Sequence, residues 1–447
     1  MNPIKTLLFQ WKKYSSTLTP HARDVLRGVP ILFVIKALSA SLALLFSVII
    51  ARYLGVDATG VFFLSLAIVT SVSVLVRLGM DNVVLRFVTI AWSEGNIRLI
   101  NGISLLVLKA VFAFASLVAL ILFVFSDVIA QDVFHMPTLE SSFKWMVLSI
   151  LPIALFNIIA EGMKGISKIE LALVIQGLML PSLAMVAMFP LMEVYGYLVG
   201  ASIAYLLAGL FVCFLAFFYW FRYVDVQAGS VKFSKKTLWD SSRPLFTVTL
   251  IGQVFIPYFP IFILGVYATE GDVGLFGAAM RLVIIISFFL VAANNIIAPK
   301  FAALYARGDI KEIESLARQT SKLYLLFGIP VFLIYTFFGD TVMGIFGEGF
   351  EEGQWVLASL AVGQFVNVAT GSVGFLLMMC EQERALERLT IYSSLLLFLL
   401  LLILTPIYGV VGAAIASSLS LIALNLGSVY VVKKKIGIMP VSFWRKT

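Results

Sequence analysis

Charge is scarce in this chain. Only 13% of its 447 residues are Asp, Glu, Lys or Arg, while 61% are hydrophobic; a water-soluble domain carries about 25% charged residues. That composition excludes an ordinary soluble protein. Short segments of alternating hydrophobicity are absent too, which excludes a membrane β-barrel. There are two cysteines, Cys213 and Cys380, far apart in or beside apolar runs, so no disulfide framework is implied. The two histidines, His21 and His135, lie in flanking segments. With no H-E-x-x-H and no Cys/His cluster, no metal site of that kind is expected. Neither G-x-x-x-x-G-K-[ST] nor G-x-G-x-x-G occurs, so nucleotide hydrolysis by those routes is excluded. The acidic stretch 339–353 lacks EF-hand spacing. No cofactor is expected. The loops are too short to house a catalytic domain, so the chain is not expected to be an enzyme.

What the sequence has is apolar runs of about 20 residues, the length that spans a bilayer. The expected fold is an all-α polytopic membrane protein with 12 transmembrane helices, near 29–51, 59–80, 99–125, 141–162, 170–192, 196–221, 243–266, 274–298, 320–338, 354–379, 388–405 and 409–432. The second could continue as a helix beyond the bilayer to about Trp92. Residues 1–28 are polar and basic and do not form a signal peptide, because the run after them is long enough to span. Within them, Ile4 to Tyr14 mixes apolar and basic residues, as a surface-lying amphipathic helix or a plain tail would. Of the 32 Lys and Arg, 26 fall on one side of these spans and only Arg52 and Lys144 on the other. The positive-inside rule puts both termini in the cytoplasm. The net charge of +8 therefore reads as a topology signal, not as a nucleic-acid footprint.

The chain also repeats itself. At an offset of 214 residues Gly60 falls on Gly274, Phe62 on Phe276, Asp81 on Asn295, Arg86 on Lys300 and Phe87 on Phe301. Tyr195-Gly196 is echoed by Tyr408-Gly409. The basic stretch from Arg222 to Arg243 separates the halves. Expected boundaries are a cytoplasmic segment 1–28, a first lobe 29–221, a linker 222–242, a second lobe 243–432 and a tail 433–447. Six spans per half give both halves the same orientation, so the repeat is parallel.

Four basic residues lie within spans: Lys36, Arg77, Lys109 and Arg281. A buried cation costs about 2.5–3.5 kcal/mol at a helix centre, so each calls for a cavity or a partner. At ~1.5 Å per residue they would form a ladder, with Lys36 about 10 Å from the cytoplasmic side and Arg281 about 10 Å from the outside. Lys36 has the alternative of snorkelling to the interface. Arg77, four residues before Asp81, has the alternative of pairing with it. Lys109 and Arg281 have no carboxylate at helical spacing. Arg281 also breaks the repeat, because Ala67 occupies the matching position. Asp81, Glu161 and Glu170 fall near span ends, leaving no acid expected at mid-membrane. Asn295 shares a face with Arg281 further along the same helix. Asn157, Gln176, Gln253, Asn294, Gln364 and Asn367 could bind sugars or bridge helices. Pro257 and Pro260 predict a kink in the seventh span, as a moving hinge or a fixed bend.

The runs ARYLGVDATGVFFLSLAIV and LVRLGMDNVVLRFV, then IFGEGFEEGQWVLASLAVGQF (345–365) and the final YGVVGAAIASSLS, resemble in order and spacing the polysaccharide-transporter branch of the MOP superfamily, which includes Wzx-like O-antigen and exopolysaccharide flippases. The resemblance implies a MATE-like, V-shaped pair of six-helix lobes around a central cavity in the bacterial cytoplasmic membrane. It implies a cargo of undecaprenyl-pyrophosphate-linked oligosaccharide, with membrane lipids and other polysaccharide-assembly proteins as further partners. Lys36, Arg77, Lys109, Arg281 and Asn295 are then the candidate substrate-binding residues, with Pro257 and Pro260 as hinge. A cation-exporting relative would need a buried Asp or Glu. A polymerase or ligase would need a large catalytic loop.

Overall fold

The computed structural model describes residues 20–225 and 249–441, with scattered positions from Gly229 to Phe246 between them. The side chains before Ile31 and those of Ala292, Asn295 and Ile296 fall outside the description. The stretch Ile4 to Tyr14 lies outside the described residues as well.

Among the described residues the chain is helical and contains no strand. Its apolar sequence dictates this, because a backbone N–H or C=O in hydrocarbon finds no water and must bond within its own segment. The elements are α1 (Pro20–Leu75), α2 (Met80–Ser93), α3 (Ile97–Val124), α4 (Leu139–Gly165), α5 (Ile169–Tyr195) and α6 (Tyr197–Tyr223). After the linker come α7 (Leu250–Tyr267), α8 (Glu270–Ala306), α9 (Ile310–Phe337), α10 (Gln354–Thr370), α11 (Val373–Met379) and α12 (Glu383–Ile436).

Among the described residues nine of these helices are long and apolar enough to cross a membrane, and the pair formed by α10 and α11, bent by 44°, makes a tenth. The apolar part of α1 runs 45 residues and α12 runs 54. At ~1.5 Å per residue each is about twice the ~30 Å hydrocarbon thickness. Each also holds one glycine with non-helical torsions, Gly55 (φ 74°) and Gly409 (φ 56°). The chain folds back at both. Phe46 and Phe62, 16 residues apart, have ring centroids 6.2 Å apart. A Cβ on Gly412 would lie 2.1 Å from the carbonyl oxygen of Leu404. Two hairpins in place of two straight helices fit twelve crossings.

Two expectations need correction. The second span does continue past the bilayer, but not as one helix: a turn with Leu78 (φ 49°) and Gly79 (φ 72°) separates α1 from α2. A Cβ on Gly79 would sit 2.8 Å from the backbone nitrogen of Phe246, so this break is where the start of the second half packs. The tenth span, expected whole over 354–379, is broken at Gly371 (φ 74°).

Among the described residues, the helix packing between the two halves runs mainly through α1, which meets α8, α7 and the turn Gly344–Phe346. Where the arm after Gly55 meets α8, the repeat becomes a physical symmetry. A Cβ on Gly60 would lie 1.7 Å from the carbonyl oxygen of Glu270, and one on Gly274 would lie 2.4 Å from that of Val56. Val56 and Glu270 are themselves 214 residues apart, so the two contacts are images of each other. Lipid tails are as apolar as leucine, so membrane helices gain by close backbone approach, and only glycine permits it here. Phe62 and Phe276, another repeat pair, are both fully buried beside this seam. The same end of the bundle is tied by Arg52 Nε donating to the Ile345 carbonyl (2.8 Å) and by Thr138 Oγ1 donating to Glu270. A capping box of Thr269 and Asp272 starts α8 there.

Candidate functional site

Seven residues along α8 from Gly274, about 10 Å, the seam holds a charge. Arg281 Nε donates to Ser47 Oγ (2.7 Å), and Arg281 Nη1 donates to the Gly277 carbonyl one turn back (2.7 Å). The guanidinium carbon sits 3.6 Å from the centre of the Phe63 ring. Ser47 and Phe63 belong to the two arms of α1, so one side chain of the second half is held by both arms of the first. The groups near enough to act on its charge are the phenols of Tyr205 and Tyr258, and no carboxylate joins them among the described residues. Tyr205 stacks on Phe46 and meets Phe62 edge-on. The Tyr258 hydroxyl lies near Thr70 of α1, whose own hydroxyl donates to the Leu66 carbonyl (2.7 Å).

Local sequence explains why the arginine fits. The position facing the Phe63 ring is Gly277, where a Cβ would lie 2.4 Å from that ring. Phe63 and Gly277 are a repeat pair, as are Ala67 and Arg281. Substituting large for small at one pair and small for large at the other lets ring and guanidinium stack across the seam. Charge-assisted hydrogen bonds of about 1.5–3 kcal/mol and a cation–π contact of about 0.5–2 kcal/mol offset the cost of placing the charge in the membrane.

The other candidates separate. Lys36 lies eleven residues before Ser47, which at 100° per residue puts the two on one face of α1, about 17 Å apart. It is exposed, and Phe33, one turn earlier, meets Phe288 of α8 at 5.9 Å. Lys36 and Arg281 therefore belong to one seam. Arg77 does not line it as a free charge. Its Nη1 pairs with Asp81 Oδ1 (2.7 Å) and its Nε donates to the Ser73 carbonyl (2.9 Å), with the side chain buried. Of its two readings, the ion pair is the one seen. Lys109 lies elsewhere, because α3 makes no substantial contact with the second half among the described residues. A ladder of four cations along one path is not what these helices build; helical spacing gave their depths but not which way each lobe turns them. The Asn295 side chain lies outside the described residues. Its neighbour Asn294 is buried, and its Oδ1 has no partner among the described residues.

In α7, Pro257 follows a π-helical turn, Leu250–Phe255, and Pro260 lies one turn further on. A proline leaves the carbonyl four residues earlier without its donor, and the widened turn takes up the mismatch. The fifth segment repeats the device with a π-turn at Val174–Met179 ahead of Pro181.

Residues 25–304, more than half of the chain, match the family model described as polysaccharide biosynthesis protein. The chain belongs to that family. A relative from Haloferax volcanii, described as a probable low-salt glycan biosynthesis flippase Agl15, is 30% identical over 193 residues, 42% of this chain and 41% of the relative. The match thus spans about two fifths of that relative's length. Among solved structures, the inward-facing conformation of a multidrug resistance MATE family transporter of the MOP superfamily superposes with a TM-score of 0.75 at 14% identity, over 89% of this chain and 94% of that one. The lipid II flippase MurJ in an inward closed conformation gives 0.74 at 16% identity, over 90% and 87%. At such identities the likeness is one of fold, and this member of the polysaccharide biosynthesis family has the two-lobed MOP transporter fold.

Sequence reasoning passed over Phe63, Tyr205 and Tyr258 in this family member. Phe63 left a signal, an aromatic residue whose repeat mate is glycine one turn before a repeat-breaking arginine. The tyrosines left none, since their nearness to Arg281 exists only once four helices are assembled. Asn157 and Gln176 bridge helices: Gln176 Nε2 donates to Glu161 Oε1 (3.0 Å) and to Asn157 Oδ1 (3.3 Å), while Glu161 pairs with Lys164 (2.6 Å).

Proposed function

We propose that this chain is a flippase that carries a lipid-linked anionic oligosaccharide across the cytoplasmic membrane, with both termini in the cytoplasm, lobes at 29–221 and 243–432, and Arg281 as the principal ligand of the cargo's phosphate. One observation carries the reading: Arg281 is a cation at membrane depth, in the seam between halves, whose partners are a hydroxyl, a carbonyl and a ring. A neutral set of partners leaves the positive charge uncompensated, and an anion that enters when the seam parts compensates it with charge-assisted hydrogen bonds. Lys36, on the same face toward the cytoplasmic side, serves as an approach site. The closed seam at Gly60 and Gly274 supports a state shut toward the outside, and the names of the two solved neighbours, inward-facing and inward closed, agree with it. Pro257 and Pro260 give α7 the bend about which the lobes move. The family description and the glycan flippase relative support a glycan cargo.

The test is transport of a labelled lipid-linked oligosaccharide between leaflets of proteoliposomes. Arg281→Ala should lower the rate by about 100-fold, the loss of one charge-assisted contact of ~3 kcal/mol, at unchanged membrane levels. Arg281→Lys should recover only part, because an ammonium keeps the charge but loses the planar fork and the stacking. An alanine variant that transports as fast as the parent removes the proposal. The likeness to a multidrug transporter favours a second reading, export of organic cations. Transport of a cationic dye that Arg281→Ala leaves intact would favour it.

A further inference from the structure

Lys109 faces away from the seam, into a groove of about 470 Å³ on the outer side of the first half. The groove runs between α3 and α6, with Leu105, Phe112, Phe217 and Phe221 among its walls. Leu105, Phe112 and Phe221 are each about half exposed, at 49%, 53% and 58%. On a chain of this composition such surfaces meet acyl chains, not water. One end of the groove is polar. There Asn101 Nδ2 donates to the carbonyls of Asp225 (2.9 Å) and Gly229 (3.0 Å), and the linker crosses α3 so closely that a Cβ on Gly102 would lie 1.9 Å from the Val231 carbonyl oxygen. Lys109 is seven residues beyond Gly102, about 10 Å, and its four-carbon stem can carry the ammonium back toward that polar end.

Two groups in this groove lack partners. Lys109 makes no ion pair or hydrogen bond among the described residues, unlike Arg77 and Arg281. Ser104 also lines the groove. It is only 7% exposed, and its hydroxyl, buried just beneath the groove wall, has no hydrogen-bond partner among the described residues. A buried hydroxyl without a partner costs about 1–3 kcal/mol, and a lone ammonium among lipid tails costs more. An anion supplied from the membrane itself meets both needs.

We infer that this groove binds one anionic phospholipid, its phosphodiester held by the Lys109 ammonium and the Ser104 hydroxyl and its acyl chains lying along Leu105, Phe112, Phe217 and Phe221. A water-soluble anion would match the cationic point alone, whereas a phospholipid arrives laterally and matches both the apolar walls and the cationic point. The site is separate from the seam, since α3 makes no substantial contact with the second half among the described residues, and it does not rest on the cargo assigned to Arg281.

The experiment is native mass spectrometry of the full chain in detergent, titrated with dioleoylphosphatidylglycerol or dioleoylphosphatidylcholine. The parent should hold one phosphatidylglycerol about tenfold more tightly than phosphatidylcholine, the worth of one charge-assisted contact. Lys109→Gln should erase that preference and Lys109→Arg should keep it. Ser104→Ala should weaken it severalfold, and Lys300→Gln, on an exposed lysine of α8, should leave it unchanged. Equal binding by the parent and Lys109→Gln overturns the site, as does equal binding of the two lipids by the parent. Displacement of phosphatidylglycerol by an equimolar polyprenyl phosphate overturns the assignment to a phospholipid.

Discussion

The 37 residues of α8 and the 37 from Val56 to Trp92 are copies of one plan, and their differences show where a repeat stops being scaffold. Both begin at the seam, and both use glycine, Gly60 and Gly274, to bring backbones together. One turn later they diverge. Phe63 faces Gly277, and two turns on Ala67 is matched by Arg281. The first copy then breaks at Leu78 and Gly79, while α8 runs on to Ala306 as one helix. The shared positions make a contact that obeys the symmetry. The unshared positions place a charge that cannot obey it, because a guanidinium and a ring are different halves of one interaction. The cationic residues differ in the same way: Arg77 of the first copy is neutralised by Asp81 within its own half, and Arg281 of the second reaches across to the other.

That comparison can be broken, most forcefully at the shared glycine. Gly60→Leu would start a side chain 1.7 Å from the Glu270 carbonyl oxygen. It should cost about 3 kcal/mol or more and hold the seam apart, seen as a lower melting temperature in detergent and loss of transport. An unchanged melting temperature would mean that the helices do not meet there. Next comes the loss of half an ion pair. Arg77→Gln leaves the partly buried Asp81 carboxylate without its cation and should destabilise by about 3 kcal/mol, with Arg77→Gln/Asp81→Asn restoring most of it and transport per folded molecule unchanged. A transport defect that the double variant does not correct would place Arg77 in the path after all. Moving the charge to its mirror position sharpens the comparison: Ala67→Arg in an Arg281→Ala background should not raise transport above Arg281→Ala alone, because position 277 offers no ring. Recovery to half the parental rate would show that any charge in the seam suffices. The smallest effect belongs to Phe63→Leu, which keeps bulk but removes the ring, worth about 1 kcal/mol of cation–π attraction and about a fivefold change in transport.

Much of the scaffold was legible because it is written in periodicities. Apolar run lengths marked the membrane helices, and the 214-residue offset paired Gly60 with Gly274, though not as a contact. The same offset singled out Arg281 against Ala67. Spacing along one helix also offered the Arg77–Asp81 pair. What could not be read was direction across helices. Lys109 and Arg281 look alike in the sequence, both within apolar runs and both without a nearby acid, yet Arg281 meets the other half and Lys109 is exposed on the outer side of its own. Ser47, 234 residues from Arg281, becomes its partner only through the fold. The break at Leu78 was hidden because leucine gives no hint of a positive φ (49°), and the residues packed against it, Ser242 and Phe246, are distant in the chain.

By itself, the sequence determined that this chain crosses a membrane many times as helices, because long apolar runs without barrel-type alternation can satisfy their polar backbone groups in hydrocarbon only as helices. It determined as well that the helices come in two related sets, because a duplicated pattern folds twice. Only the tertiary structure decided that, of the four cations within apolar runs, Arg281 is the one gripped by side chains of both sets. Depth is a property of one helix, but the facing of a side chain depends on how every other helix packs around it.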